Sequence, residues 1–94
     1  MYIRLVNFKA VPGKRSEVDS IADKFIPLIK AKPGNKGCWF MMNDETDEYG
    51  MVIFWDTKEN ADAAKAAIGP ELIPMLHAIS TEPVNIKLYE AYES

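Results

Sequence analysis

Three extended segments of this chain are apolar at consecutive positions instead of at every second one. In "YIRLVNFKA" (Tyr2 to Ala10), Ile3 and Leu5 point one way while Tyr2, Val6 and Phe8 point the other, and the runs "CWFMM" and "MVIFW" are apolar on both sides. Successive strand residues face opposite sides of a sheet, so a sheet built from these segments must keep water from both of its faces. An antiparallel sheet with one wet face alternates apolar with polar instead. That demand falls on a chain of only 94 residues, read here as a single domain (1–94) near the small end of what buries a sufficient core alone.

Between the extended segments lie two stretches with helical spacing. After a turn at Pro12-Gly13, Ser16 is placed to cap a helix whose apolar face is Val18, Ile21, Ala22, Phe25, Leu28 and Ile29, running through Lys32. Pro27 inside it predicts a kink or a shifted last turn. Pro33-Gly34 and Gly37 close the segment, and Cys38 to Asn43 is the second strand. The acidic "NDETDEYG" reads as a hairpin loop and Gly50 to Trp55 as the third strand. Asp56, three residues before Glu59, has the spacing of a capping box. An Ala-rich helix follows to Ile68, and Gly69-Pro70 and Pro74 then predict a break, with Pro70 starting a new helical turn in a new direction. Leu72, Met75, Leu76 and Ile79 continue the stripe, Pro83 ends it, and Val84 to Tyr92 is the last strand.

The order β-α-β-β-α-β is the split βαβ, ferredoxin-like arrangement of the α+β class: a four-stranded antiparallel sheet carrying both helices on one face. Two helices cover one face only. The other requires a partner, and a second copy of the same sheet is the simplest, which predicts a homodimer with sheets packed face to face. Val6 is assigned to that outer face, and Asn7, with Ile3 and Leu5, to the helix-covered one.

Charge and composition exclude several classes. A net charge of −3 and a pI near 5.1 argue against nucleic acid as a partner. The longest apolar run, "GMVIFW", is too short to span a membrane, and the N-terminal stretch lacks an apolar signal core. One cysteine, Cys38, forms no internal disulfide, so the cytoplasm is the expected compartment; on its strand Cys38 reads as a small buried hydrophobe. The carboxylates Asp44, Glu45, Asp47 and Glu48 lack the calcium-loop pattern and no His or Cys joins them, so no metal is expected. There is no phosphate loop and no nucleophile motif.

The chemistry is expected between the sheet and the second helix. Ala61, Ala64 and Ala67 are too small to fill that space, so either the helix packs closer or a cavity remains, widened where the prolines displace the chain. The break would re-aim Met75, Leu76 and His77. His77 is the only imidazole, placed either as an acid or base or as a cation at a helix C-terminus. Asn7, an amide in an apolar strand, either makes a structural hydrogen bond or touches a ligand. Leu5, Trp39, Trp55 and Met75 are the candidate pocket lining; aromatic and Met residues of this kind also serve simply as core.

The element order, the dimer argument and "VIFWDTKENADAAKAA" resemble the antibiotic biosynthesis monooxygenase-type family of dimeric α/β barrels over nearly the whole chain: a strand ending in Trp55, a polar cap, then an Ala-containing helix. The resemblance implies a small apolar or aromatic ligand held between sheet and second helix. It also implies oxygenation of an aromatic or quinol-like substrate that activates dioxygen itself, with no metal, flavin or other cofactor. Haem-degrading members use an Asn on strand 1, a Trp in the second helix and a His beyond it. Asn7 matches the first and His77 lies close to the third, but "AAKAAI" offers Ala where the Trp would stand, which argues against haem. In the oxygenase Asn7 would orient the substrate oxygen and His77 would take its proton. The alternatives are an isomerase or decarboxylase on the same scaffold, and a non-catalytic dimer that binds a small ligand or serves a stress response.

Overall fold

The computed structural model describes residues 1–92; the single-domain expectation for 1–94 extends over two residues outside that range. The elements follow the expected order: β1 (Tyr2–Lys9), α1 (Arg15–Lys30), β2 (Asn35–Asn43), β3 (Glu48–Trp55), α2 (Lys58–Ile79) and β4 (Asn85–Glu90). One antiparallel sheet of order β2-β3-β1-β4 carries both helices on one face. Among the described residues no helix is long and apolar enough to cross a membrane.

Local chemistry moves several boundaries. Gly13, at φ 85°, turns the chain so sharply that α1 begins at Arg15, with Lys14 as its unassisted N-cap. Ser16 therefore lies inside the first turn and does not cap. Strand β2 starts before Gly37, with a bulge between Asn35 and Gly37, where the Asn35 amide accepts from the Gly37 N–H and donates to the Gly37 carbonyl. The hairpin loop shrinks to residues 44–47, with Asp47 in the left-handed region at φ 57°. The Tyr49 hydroxyl donates to Asp44 Oδ1 at 2.9 Å and Arg15 donates to Asp44 Oδ2 at 2.6 Å, tying the loop to α1. At the start of α2 the cap is Thr57 rather than Asp56: its Oγ1 accepts the Asn60 N–H at 3.1 Å, while Asp56 accepts from the Asn60 side chain. Strand β4 is shorter than expected at both ends.

Two expectations are corrected by the fold. First, α2 does not break at Gly69-Pro70. It is one helix of 22 residues, and its buried stripe (Ala61, Ala64, Ile68, Leu72, Leu76, Ile79) keeps phase through both prolines. Pro70 and Pro74 lie four apart on the exposed side, as does Ala66, whose carbonyl loses its Pro70 donor, so water can satisfy that group without ending the helix. Pro27 is likewise accommodated inside α1, whose end tightens as the Lys32 N–H bonds Ile29 O at 3.0 Å. Second, the two faces of β1 are the reverse of the expectation. Arg4, Val6 and Phe8 are buried beneath the helices, opposite Ile53, Met51 and Tyr49 of β3. Ile3, Leu5 and Asn7 face the other way. With apolar residues at both parities, alternation alone does not tell one face from the other.

The core lies between the sheet and the helices, with Trp55, Phe25, Met51, Leu76 and Val18 its largest fully buried side chains. Cys38 is buried in it, and burial pushes its thiol up to about 11.

Candidate ligand site between sheet and second helix

Strand β1 places Arg4 on the covered face, beside Ile53 of β3 and Leu88 of β4, with the start of α2 above it. Arg4 is 8% exposed and is the one buried polar or charged residue among those described. A buried charge needs partners. The structure supplies two, both through Nη2: the Ala61 carbonyl at 3.4 Å and Asp62 Oδ1 at 3.2 Å. Asp62 also accepts from Lys58 at 3.0 Å, and this bond, with a smaller contribution from Arg4, holds its carboxyl below the usual carboxylate range.

Beside Arg4 a cavity of about 50 Å³ lies between sheet and α2. Val6, Ile53 and Trp55 form its floor, Ala61, Ala64 and Ile68 its roof, and Lys65 and Ile73 complete its rim. The small residues of α2 thus leave space. Ala67 lies elsewhere, over the groove between the two helices. A cavity of about 150 Å³ accepts benzene, so the space in the single chain takes part of a small apolar molecule unless the half-buried Ile73 and exposed Lys65 move aside.

The expected site residues are dispersed. Trp55 lines the cavity. Leu5, Asn7 and Trp39 lie on the open face of the sheet: Asn7 and Trp39 are exposed and Leu5 is half-buried. The Asn7 amide lies over Gly50, where an added Cβ would meet Asn7 Oδ1 at 3.0 Å and Val6 O at 2.5 Å, so glycine is required for that approach. Met75 lines a separate groove between the helices with Ser20 and Ile21. His77 is exposed in the last turn of α2, where its carbonyl accepts the Ser80 N–H. Asn7 and His77 therefore share no cavity in the single chain. Among the described residues no group of three or more His, Cys, Asp or Glu converges as metal ligands do.

No family model matches the sequence, and no curated protein matches it. The fold has many likenesses. The Rv0793 protein of Mycobacterium tuberculosis superposes with a TM-score of 0.85 at 14% identity, covering 99% of this chain and 96% of that one. An antibiotic biosynthesis monooxygenase gives 0.83 at 13% identity, covering 99% and 100%. SnoaB, a cofactor-independent oxygenase from Streptomyces nogalater, solved as a variant, gives 0.79 at 21% identity, covering 99% and 95%. This is the antibiotic biosynthesis monooxygenase-type fold.

Within that fold, Arg4 is the site residue that the sequence reading missed. Its signal was present: Arg4 has the parity of Val6 and Phe8, so a charge stood in the core-facing register of an apolar strand. The signal was legible only once the covered face was known.

Proposed function

We propose that the chain is a cofactor-independent oxygenase taking a small, electron-rich aromatic or quinol-like molecule between its sheet and α2, and that it works as a homodimer. The observation that supports this reading is the cavity itself: an apolar wall with one indole, left open by Ala61 and Ala64, in a fold shared with a cofactor-independent oxygenase. In such chemistry the substrate is its own reductant. One oxygen atom of dioxygen is bonded to a ring carbon of the substrate, and the other leaves as water with two of the substrate's hydrogens, so that a quinol becomes a hydroxyquinone. The protein's part is to hold the ring in a dry, shaped site where a developing charge is not dispersed into solvent. Asn7 and His77 lie outside the cavity wall, so this reading assigns the proton transfer to neither.

The dimer is supported by the open face. Trp39, Met41 and Tyr89 are 55%, 41% and 47% exposed there, alongside Ile3, Leu5, Val52 and Phe54. Contiguous apolar surface of this kind is unusual on a monomer.

A second reading, a non-catalytic dimer that binds a small ligand, is favoured by one observation: the wall carries no side chain that titrates near neutrality, and the space is small. Oxygen uptake with a panel of anthrones and hydroquinones separates the two. The oxygenase reading expects uptake above autoxidation that falls at least tenfold in Ala64→Leu, which fills the cavity, with circular dichroism confirming that the variant is folded. Saturable ligand binding without uptake would leave the second reading in place.

A further inference from the structure

We infer that this cavity selects an anion: a small apolar molecule whose carboxylate or ionised phenol oxygen is held by Arg4, with its hydrocarbon part among Ala61, Ala64 and Ile68. The inference rests on the cavity being the ligand site, as read above. Charge-assisted N–H···O bonds run at about 2.7–2.9 Å, whereas both bonds of Arg4 are longer, at 3.4 and 3.2 Å. A guanidinium has five N–H donors in a planar fork, and only Nη2 is engaged. Among the described residues Nε and Nη1 have no protein partner, yet no buried side-chain nitrogen is sealed off without one, so these donors keep accessible surface on a residue that lines the cavity.

The surrounding charge points the same way. Asp62, the counterion of Arg4, is half-exposed and shared with Lys58, so one carboxylate serves two cations. Lys65 adds a third cation at the cavity rim. Glu59 acts on Lys58 through space, and the exposed Glu90 sits on the same sheet face, two residues along β4 from Leu88, the partner of Arg4. Both charged residues that line the hollow, Arg4 and Lys65, are cations, in a chain of net charge −3. An oxyanion there would gain a charge-assisted bond from a guanidinium donor that Nη2's two bonds leave free, a gain that a neutral molecule of the same shape would lack.

Isobutyrate and isobutyramide, alike in shape and different in charge, are the probes. Titrations followed by amide ¹H–¹⁵N shifts at Ala61, Ala64 and Gly69 should show isobutyrate binding roughly tenfold tighter. Arg4→Gln should abolish that preference while retaining isobutyramide. Asp62→Asn, at an exposed position that keeps the fold safe, should strengthen isobutyrate by removing the competing carboxylate. Equal binding of the two probes at these amides, or no effect of Asp62→Asn on isobutyrate, would overturn the anion selectivity and leave the cavity as a ligand site. Isobutyrate shifts confined to surface lysines overturn it as well. Absence of shifts from either probe would instead remove the cavity reading on which the inference stands.

Discussion

The two faces of this sheet are written in nearly the same alphabet and meet opposite fates. The covered face holds Val6, Phe8, Cys38, Met51, Ile53 and Trp55 at 7% exposure or less. The open face holds Ile3, Leu5, Val52, Phe54, Trp39, Met41 and Tyr89, half-buried or exposed. Hydrophobicity does not separate them. What separates them is that α1 and α2 bring their own stripes, Val18 through Ile29 and Ala61 through Ile79, to one side only. The open side is organised within itself, Trp39 packing edge-on against Phe54 with ring centres 5.6 Å apart, but no element among the described residues covers it. Arg4, the one buried charge among the described residues, falls on the covered side, where α2 presents Ala61 and Ala64. One face makes the domain and its cavity; the other stays open.

Neighbouring residues of β3 test this contrast most severely. Met51 is 0% exposed beneath the helices, whereas Val52 is half-buried on the open face, opposite Leu5 and Trp39. Met51→Asp buries an unpaired carboxylate at a cost of several kcal/mol, a large share of a small domain's stability of roughly 5–15 kcal/mol. Loss of the cooperative thermal transition is expected. Val52→Asp should leave a folded chain, with normal helix content by circular dichroism, that light scattering finds monomeric, whereas the parent is expected to scatter as a dimer. If both variants unfolded alike, the faces would be equivalent and the contrast lost.

A gentler change probes what seals the covered side. Because α2 runs unbroken, Gly69→Ala removes a helix-interior glycine and should stabilise by up to about 1 kcal/mol. The added Cβ meets the flexible tip of Ile73 at 3.3 Å, and Gly69 borders the cavity, so ligand binding should weaken as the melting temperature rises. A lower melting temperature would mean that α2 needs its glycine where the stripe passes the prolines.

The smallest effect concerns Cys38, next in sequence to the exposed Trp39. A thiol pushed up to about 11 by burial stays protonated at pH 8, and the thiolate is the form that reacts. The folded value is the raised one, so the thiol's contribution to stability is fully present below the ordinary thiol range and is lost as pH rises through about 11. Iodoacetamide at pH 8 should therefore modify Cys38 only as fast as the chain unfolds, while acrylamide quenches Trp39 readily in dilute, monomeric protein. Rapid alkylation of the native chain would place Cys38 on the wrong side of the contrast.

What was legible in the sequence is what local spacing controls. The β-α-β-β-α-β order, the helix faces and the demand for cover on both sheet faces follow from periods of two and of about three and a half, and these act within a few residues. The alanines of α2 were legible as small side chains on a packing face, but spacing leaves open whether the helix closes on them or keeps a cavity, and Ala67 lies elsewhere. Other features required the tertiary structure. Parity says that Asn7 and Val6 face opposite ways, but which way is covered depends on where helices remote in sequence settle, so Asn7 was placed inside and Arg4 was overlooked. Prolines 70 and 74 announce a break by local rule, yet they lie on the solvent side of a helix whose buried stripe is held by the sheet, and packing overrides the signal. With α2 unbroken, nothing turns His77 toward the cavity. Spacing along a chain sets which residues can share a face; only the packed arrangement decides which face lies against what.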